Sequence, residues 1–432
     1  MKYQEALDFL FTHLPMFQRV GAAAFKKDLS NTLHLCAHLG NPERRFPTVH
    51  VAGTNGKGST SHALASICSS AGLKTGLYTS PHLKDFTERI RIDGVKMEQK
   101  AVATFVETHQ DYILERKPSF FEITVGMAFD YFAKEEVDIA IIEVGMGGKF
   151  DSTNVISPDL CIITNIGYDH QQFLGNTLPE IAGEKAGIIK PGVPVIIGQS
   201  QPVLNYVYRE RAVELGAPLI MSGEHYAISD RGADLQKRRF RLEKPAKWQG
   251  EDWEIDLPGD YQLSNIPGML AGADWLAKLG YPIRKEHIKA GLANIKKLSG
   301  LQGRWQQIGE EPLILCDTGH NKAAWEIIRK QLSTFEGKNL HMVIGMVSDK
   351  SIGDVLRLLP NPAKYYFCAA KIPRALPAEE LARQAKLEAQ LEGEVIPDVR
   401  EALKAARKAA KKDDLIFVGG STFVVAELDE IE

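Results

Sequence analysis

The chemistry of this chain concentrates in one octapeptide, Gly53-Thr54-Asn55-Gly56-Lys57-Gly58-Ser59-Thr60. Glycines let successive backbone N–H groups converge on one anion, and a helix starting behind them adds the positive end of its dipole. Lys57 then reaches outer phosphates as a point charge, with the hydroxyls of Ser59 and Thr60 close behind. The bland alternative is a glycine turn with no ligand. The lysine at the helix start favours nucleotide binding by residues 53–60. The loop departs from a standard Walker sequence: it is shorter, and Gly58 separates Lys57 from Ser59.

Other candidates sit where strands should end, and in open α/β sheets ligands collect beyond the carboxyl ends of strands. Glu143 closes the apolar run DIAIIEV. A structural ion pair would account for it, but a carboxylate facing a phosphate loop suits Mg²⁺, which takes hard oxygens and bridges phosphates. Asp169 and His170 follow the next run, DLCIIT, one strand from Glu143, and that position favours metal contact over a structural histidine. Ser80 by itself reads as a turn residue, and Lys185, in EKAG, as a surface lysine.

Positioning these groups requires strands alternating with helices. Apolar runs at 47–52, 75–79, 138–144, 159–164, 195–198 and 218–221 predict strands; 59–71, 101–115 and 122–134 predict helices. Continuous runs of this kind mean strands covered on both faces, hence a parallel sheet. Between 224 and 257 the pattern becomes short and alternating, which predicts a small antiparallel insertion; helices return at 265–279 and 285–295. The stretch LSGLQG, 298–303, reads as a linker. Strands at 313–316, 341–345, 364–369 and 415–419 open a second α/β series, with a basic helix at 399–412 read as a solvated face. The expected fold is α/β: an N-terminal P-loop domain (1–297) on a doubly wound, mainly parallel sheet, and a smaller Rossmann-like C-terminal domain (304–432).

Composition narrows the function classes. Of 432 residues, 44% are hydrophobic and 25% charged, as in ordinary globular proteins, which excludes global disorder and disulfide-dense mini-proteins. A net charge of −3 offers no field for gripping nucleic acid. Five dispersed cysteines without a C-x-x-C pair predict reduced thiols and a cytoplasmic location. No run approaches the ~18 apolar residues of a membrane helix, so no membrane partner is expected. Residues 1–17 carry Glu5 and Asp8 within an apolar pattern, an amphipathic helix rather than a secretion signal.

Eight segments occur in order: G-T-N-G-K-G-S, T-S-P-H-L, F-T-E-R-I-R, E-V-G-M-G-G-x-x-D-S-T-N, N-I-G-x-D-H, E-K-A-G-I-I-K, G-R-W and D-x-x-H-N. Together they resemble the folylpolyglutamate synthase/dihydrofolate synthase family of the Mur ligase superfamily from end to end. The resemblance implies an ATP-dependent ligase, usually monomeric, adding L-glutamate to folates or dihydropteroate through an acyl phosphate. It implies Mg²⁺ held by Ser80, Glu143 and His170, and a carboxylated Lys185 helping to ligate a second Mg²⁺. It further implies nucleotide contacts from Asn265, Arg304 and Asp317, with His320 nearby as a catalytic and glutamate-binding residue. The pteroate would lie near Ser119, Phe120, Phe121 and Glu122 and near Phe150, Asp151 and Ser152, under the loop 80–91; Ser421 is the other glutamate candidate.

The chain departs from the family pattern in places. Lys26-Lys27-Asp28-Leu29 replaces a glycine-type pterin loop, and Tyr261-Gln262-Leu263-Ser264-Asn265-Ile266 replaces H-Q-x-x-N-A. Pro267 follows and is expected to shift the helix start by a turn. Asp317-Thr318-Gly319-His320-Asn321 stands for D-G-A-H-N, and Gln302 for a proline. Two rival readings remain. A peptidoglycan-type Mur ligase carries a UDP-binding domain before the phosphate loop, for which a loop starting at Gly53 leaves no room. A P-loop ATPase without ligation leaves the second domain without a task.

Overall fold

A computed structural model describes residues 1–15, 28–348 and 352–431. The predicted helix end at Phe17 and the pair Lys26-Lys27 lie outside the described residues. The chain divides into two compact units. The first comprises Met1–Arg231, Arg239–Asp256 and Leu263–Leu301; the second comprises Gly232–Arg238, Leu257–Gln262 and Gln302–Glu432. Two short segments ahead of the expected linker thus belong to the second unit. Hydrogen bonds tie them to it: Arg238 Nη2 to Pro258 O at 3.1 Å and Asp260 N to Gln331 Oε1 at 2.8 Å.

The first unit is built on eight strands: β1 (Thr48–Ala52), β2 (Thr75–Tyr78), β3 (Ile90–Ile92), β4 (Val95–Lys96), β5 (Ile139–Glu143), β6 (Leu160–Ile163), β7 (Val195–Ile197) and β8 (Leu219–Met221). Their spatial order is β4-β3-β2-β5-β1-β6-β7-β8. The last six in that order run parallel, and β3 and β4 add an antiparallel edge. That edge escapes the sequence reading because Arg91 and Lys96 break its apolar signal. From β1 the chain passes to β2 on one side and later reaches β6 on the other, so a crevice opens at the carboxyl end of β1. In register, Val51 sits beside Glu143 and Ala52 beside Ile163, which sends the phosphate loop, the E-V-G turn and the N-I-G turn off one edge.

Helices cover both faces. On one lie α2 (Lys57–Ser70) and, later in sequence, α6 (Lys285–Ala293). A Cβ on Gly291 would come 2.6 Å from Ile67 Cα, so only glycine permits this helix contact. On the other face, Phe129 and Phe132 of α3 (Phe120–Lys134) share one buried cluster with Ala140 and Ile142 and with Leu7 and Leu10 of α1 (Tyr3–His13). Further along, Ile181 and Ala182 of α4 (Leu178–Ala186) pack on Cys161 and Ile163. The predicted helix 101–115 is two helices, Gln99–Thr108 and Gln110–Arg116, which meet at His109.

The predicted insertion forms a three-stranded sheet of order β11-β10-β9, from β9 (Ala227–Ala233), β10 (Arg238–Lys244) and β11 (Asp252–Ile255). Helix α5 (Gln262–Lys278) differs from expectation: Pro267 lies inside it and does not displace its start. One intrahelical bond is lost, but Ile266, Met269, Leu270 and Ala273 are fully buried, which offsets the loss.

The second unit has six strands in the order β12-β13-β17-β14-β15-β16. These are β12 (Gln306–Gly309), β13 (Leu313–Asp317), β14 (Leu340–Ile344), β15 (Lys364–Phe367), β16 (Gly393–Val395) and β17 (Leu415–Gly419). All pairs are parallel except β12 with β13. Three helices matter below: α7 (Lys322–Leu332), α8 (Val399–Ala409) and α9 (Thr422–Ala426). The basic α8 pairs with acidic neighbours, Arg400 with Asp429 at 3.0 Å and Lys404 with Glu401 at 3.4 Å, as a solvated face should. Among the described residues no helix is long and apolar enough to cross a membrane.

Candidate active site

The octapeptide joins β1 to α2 as the residue pattern requires. Gly56 precedes α2 at φ +82°, and a Cβ there would meet Asn265 Oδ1 at 2.3 Å. Glycine is therefore needed twice over, for the left-handed backbone and for the amide of Asn265. Asn265 thus lies against the loop. Ser59 and Thr60 are buried.

The loop is laced to the segment after β6. Thr54 N donates to Asn165 O (2.9 Å), Asn55 N to Asn165 Oδ1 (2.8 Å), and Thr164 Oγ1 to Asn55 O (2.6 Å). Thr54 Oγ1 exchanges bonds with Gly167, accepting from its N–H at 3.0 Å and donating to its carbonyl at 3.1 Å. Thr164 and Asn165 are holders of the loop that the sequence reading missed; the N-I-G segment was the available signal.

Two lysines converge on one carbonyl. Lys57 Nζ donates to Gly53 O at 3.0 Å and Thr54 O at 3.1 Å, and Lys185 Nζ donates to Gly53 O at 2.9 Å. Lys185 is 4% exposed, not the surface lysine that spacing alone suggested. It lies on α4, whose fold-side residues Ile181 and Ala182 draw that helix onto the sheet. Burial, and then the neighbouring Lys57 charge, lower its ammonium from 10.5 to about 7. Unfolding therefore takes up a proton between about pH 7 and 10.5, so stability rises with pH across that window. Lys185→Met is expected to flatten this slope and to stabilise the ligand-free protein at pH 7 by about 1–3 kcal/mol. Urea unfolding of both proteins at several pH values checks it, and equal slopes would refute it.

Glu143 closes β5, 5% exposed, and accepts Ser80 N–H at 3.2 Å. The structure thus brings Glu143 and Ser80 together. His170 follows β6 at φ +52°, its side chain 27% exposed and its Nε2 3.9 Å from Asp169 Oδ1. Among the described residues no three His, Cys, Asp or Glu side chains gather into a metal cluster. One buried carboxylate and a serine at a strand edge form a sparse, hard-oxygen set. That suits Mg²⁺, which keeps waters and phosphate oxygens as its other ligands.

The predicted folate residues divide. Ser119 and Glu122 form the capping box of α3: Ser119 Oγ accepts Glu122 N–H at 3.2 Å and Glu122 Oε2 accepts Ser119 N–H at 2.5 Å. Phe120 is buried in the core beneath the Arg89 guanidinium, 5.4 Å from its centroid. Phe121 is half-buried and packs on the turn after Glu143: a Cβ on Gly145 would meet its ring at 2.5 Å. Phe150 is half-buried beneath Lys149 Nζ, 5.2 Å away, and Ser152 is buried.

Asp151 spends its carboxylate on its own chain. Oδ1 accepts Thr153 N at 3.0 Å and Thr153 Oγ1 at 2.5 Å, and Oδ2 accepts Met146 N at 2.8 Å. The Thr153 hydroxyl thus donates to Asp151 and must accept from His50 Nε2, 2.8 Å away, which assigns the proton to Nε2. Burial pushes the His50 imidazole down to about 3, so it is neutral.

In the second unit, Asp317 ends β13 and is 2% exposed. Arg304 hydrogen-bonds the Thr318 hydroxyl, and His320 Nδ1 lies 3.1 Å from Thr318 O, so these two are brought together around one turn. Ser421 caps α9, accepting Phe423 N at 3.1 Å and Val424 N at 3.2 Å. Its hydroxyl serves the helix.

A mainly parallel sheet with a glycine-rich loop at a strand edge and a second α/β unit is an arrangement shared by the Mur-type ligases, and family models place the chain among them. The family model for the Mur ligase middle domain matches residues 51–273, and that for the Mur ligase glutamate ligase domain matches 303–422. The chain is 33% identical to the dihydrofolate synthase/folylpolyglutamate synthase of Bacillus subtilis, over 88% of each chain. It is 33% identical to a probable bifunctional folylpolyglutamate synthase/dihydropteroate synthase of Halobacterium salinarum, spanning 99% of this chain but only 51% of that one. A structure of Escherichia coli FolC in complex with DHPP and ADP superposes with a TM-score of 0.85 at 30% identity, covering 99% of this chain and 96% of that one. This chain belongs to the folylpolyglutamate synthase/dihydrofolate synthase family.

Proposed function

We propose that the chain joins the amine of L-glutamate to the carboxylate of folates, with dihydropteroate as a second acceptor, converting ATP to ADP and phosphate. The observation that carries this reading is the convergence of the glycine loop, Lys57, Lys185 and Glu143 at the carboxyl ends of adjacent strands. The names of the relatives and the ADP complex of the E. coli neighbour support it.

A carboxylate is a poor electrophile, so ATP phosphorylates it first, and the glutamate amine attacks the resulting acyl phosphate. This chemistry needs positioning and charge neutralisation, not a covalent nucleophile from the protein. Residues 53–60 cradle the phosphates, Lys57 neutralises their outer charge, and Asn265 holds the nucleotide side of the loop. Arg304 and Asp317 of the second unit are the proposed nucleotide contacts there, with His320 and Ser421 for glutamate. Mg²⁺, when held by Glu143, Ser80 and His170, neutralises phosphate charge.

A neutral amine is needed to attack CO₂, and the lowered affinity of Lys185 for its proton supplies one near neutral pH. Nζ adding to the CO₂ carbon, with one C=O bond opening onto oxygen and the Nζ proton passing to solvent, would give a carbamate that carries hard oxygens in place of a cation. Phe121, beside the Glu143 turn, is the best placed of the pterin candidates, with Asp151 ordering that turn through Met146 N–H and Phe150 and Ser152 next to it in sequence. Five unbridged, buried cysteines favour a reducing, cytoplasmic setting, and we take the enzyme as a monomer.

Phosphate release with ATP, Mg²⁺ and L-glutamate tests the reading, comparing dihydropteroate, tetrahydrofolate and no pterin. Release that requires both glutamate and a pterin is expected. Release indifferent to both would point to a P-loop ATPase and overturn it.

A further inference from the structure

Asp317 is a carboxylate held almost wholly out of water, so the donors around it decide where it points. Oδ2 accepts the Tyr261 hydroxyl at 2.6 Å and Trp305 N–H at 2.7 Å, and Oδ1 accepts Gly319 N–H at 2.7 Å. Two of these donors are backbone groups on the turns that carry the proposed ligand contacts. Trp305, next to Arg304, sits at φ +46°, a conformation an aromatic residue rarely adopts without an anchor. Gly319 leads directly to His320. The carboxylate is thus a knot joining the turn of Arg304 to the turn of His320, and Tyr261 is its side-chain donor.

Tyr261 itself arrives on a fastened segment. Gln331 of α7 accepts Asp260 N at 2.8 Å and donates to Pro258 O at 3.1 Å. Arg238 donates to the same Pro258 carbonyl at 3.1 Å and pairs with Asp260. A loop fastened on both sides of its carbonyl and N–H delivers the phenol with little freedom, which is what a positioning group requires.

We infer that Tyr261 is a positioning residue of the nucleotide site, its hydroxyl orienting Asp317 and through it the turns of Arg304 and His320. This rests on the ligase reading above for the identity of the ligand as ATP. Tyr261→Phe keeps the ring and removes one donor. ATP affinity by calorimetry, with steady-state kinetics alongside, tests it on the full chain.

The variant is expected to weaken the Kd and KM for ATP 5- to 20-fold, to change kcat less than threefold and to leave the pterin KM unchanged. Tyr261→His should recover at least half of that loss on a logarithmic scale. A role confined to packing would lower Tm and leave the ATP constants alone, and that result overturns the inference. If Tyr261→Phe does not fold, Asp260→Ala decides. It loosens the same segment, and an ATP Kd raised at least twofold supports the inference, whereas an unchanged Kd overturns it. A wild-type protein that binds ATP but ligates nothing would refute the ligase reading, while the Kd ratio still judges Tyr261.

Discussion

Lys57→Met is expected to lower kcat/KM for ATP by about 10³-fold, on the scale seen when one preorganised donor to developing charge is removed. The half-buried ammonium is held by the carbonyls of Gly53, at 3.0 Å, and Thr54, at 3.1 Å. A phosphate that displaces those contacts gains a full counter-charge, and methionine offers none. The fold should not suffer, because losing the Lys57 charge also relieves its repulsion of buried Lys185. Coupled phosphate release and a thermal melt together read this out. Activity within threefold of wild type would remove Lys57 from the mechanism.

Gly53→Ala is the second large effect, and it should strike both binding and stability. A Cβ on Gly53 would lie 1.8 Å from Thr164 Oγ1 and 3.2 Å from Thr164 N. Thr164 cannot simply turn aside, because its single hydroxyl proton is held between Asn55 O at 2.6 Å and Ala52 O at 3.3 Å. Either the loop shifts or those bonds break, and the Gly53 carbonyl that receives both lysines moves with it. We expect ATP binding to weaken at least ~10²-fold and unfolding free energy to fall by about 2–4 kcal/mol. Gly53→Ala combined with Thr164→Ala should recover part of the stability by opening space. Calorimetric titration with ATP and urea unfolding measure the two effects, and an unchanged ATP affinity would show that the loop tolerates the methyl group.

Much of the fold is legible in the chain because buried parallel strands write themselves as uninterrupted apolar runs, as in DIAIIEV and DLCIIT. The short strands β3, β4, β12 and β16, at or next to the sheet edges, carry no such run. Pro267 shows the same limit, since the apolar residues around it, buried on the sheet, outweigh one missing helix bond.

The local sequence determined the glycine loop and the helix start behind it, since glycine spacing and a lysine at a helix start impose that geometry over a few residues. Tertiary structure alone decided that Lys185 is buried beside Gly53 and that Tyr261 reaches Asp317. The separation along the chain explains the difference. Lys185 lies 132 positions from Gly53 and Tyr261 lies 56 from Asp317. Burial and hydrogen-bond partners at such distances come from how sheets and helices pack, and no local residue pattern encodes them.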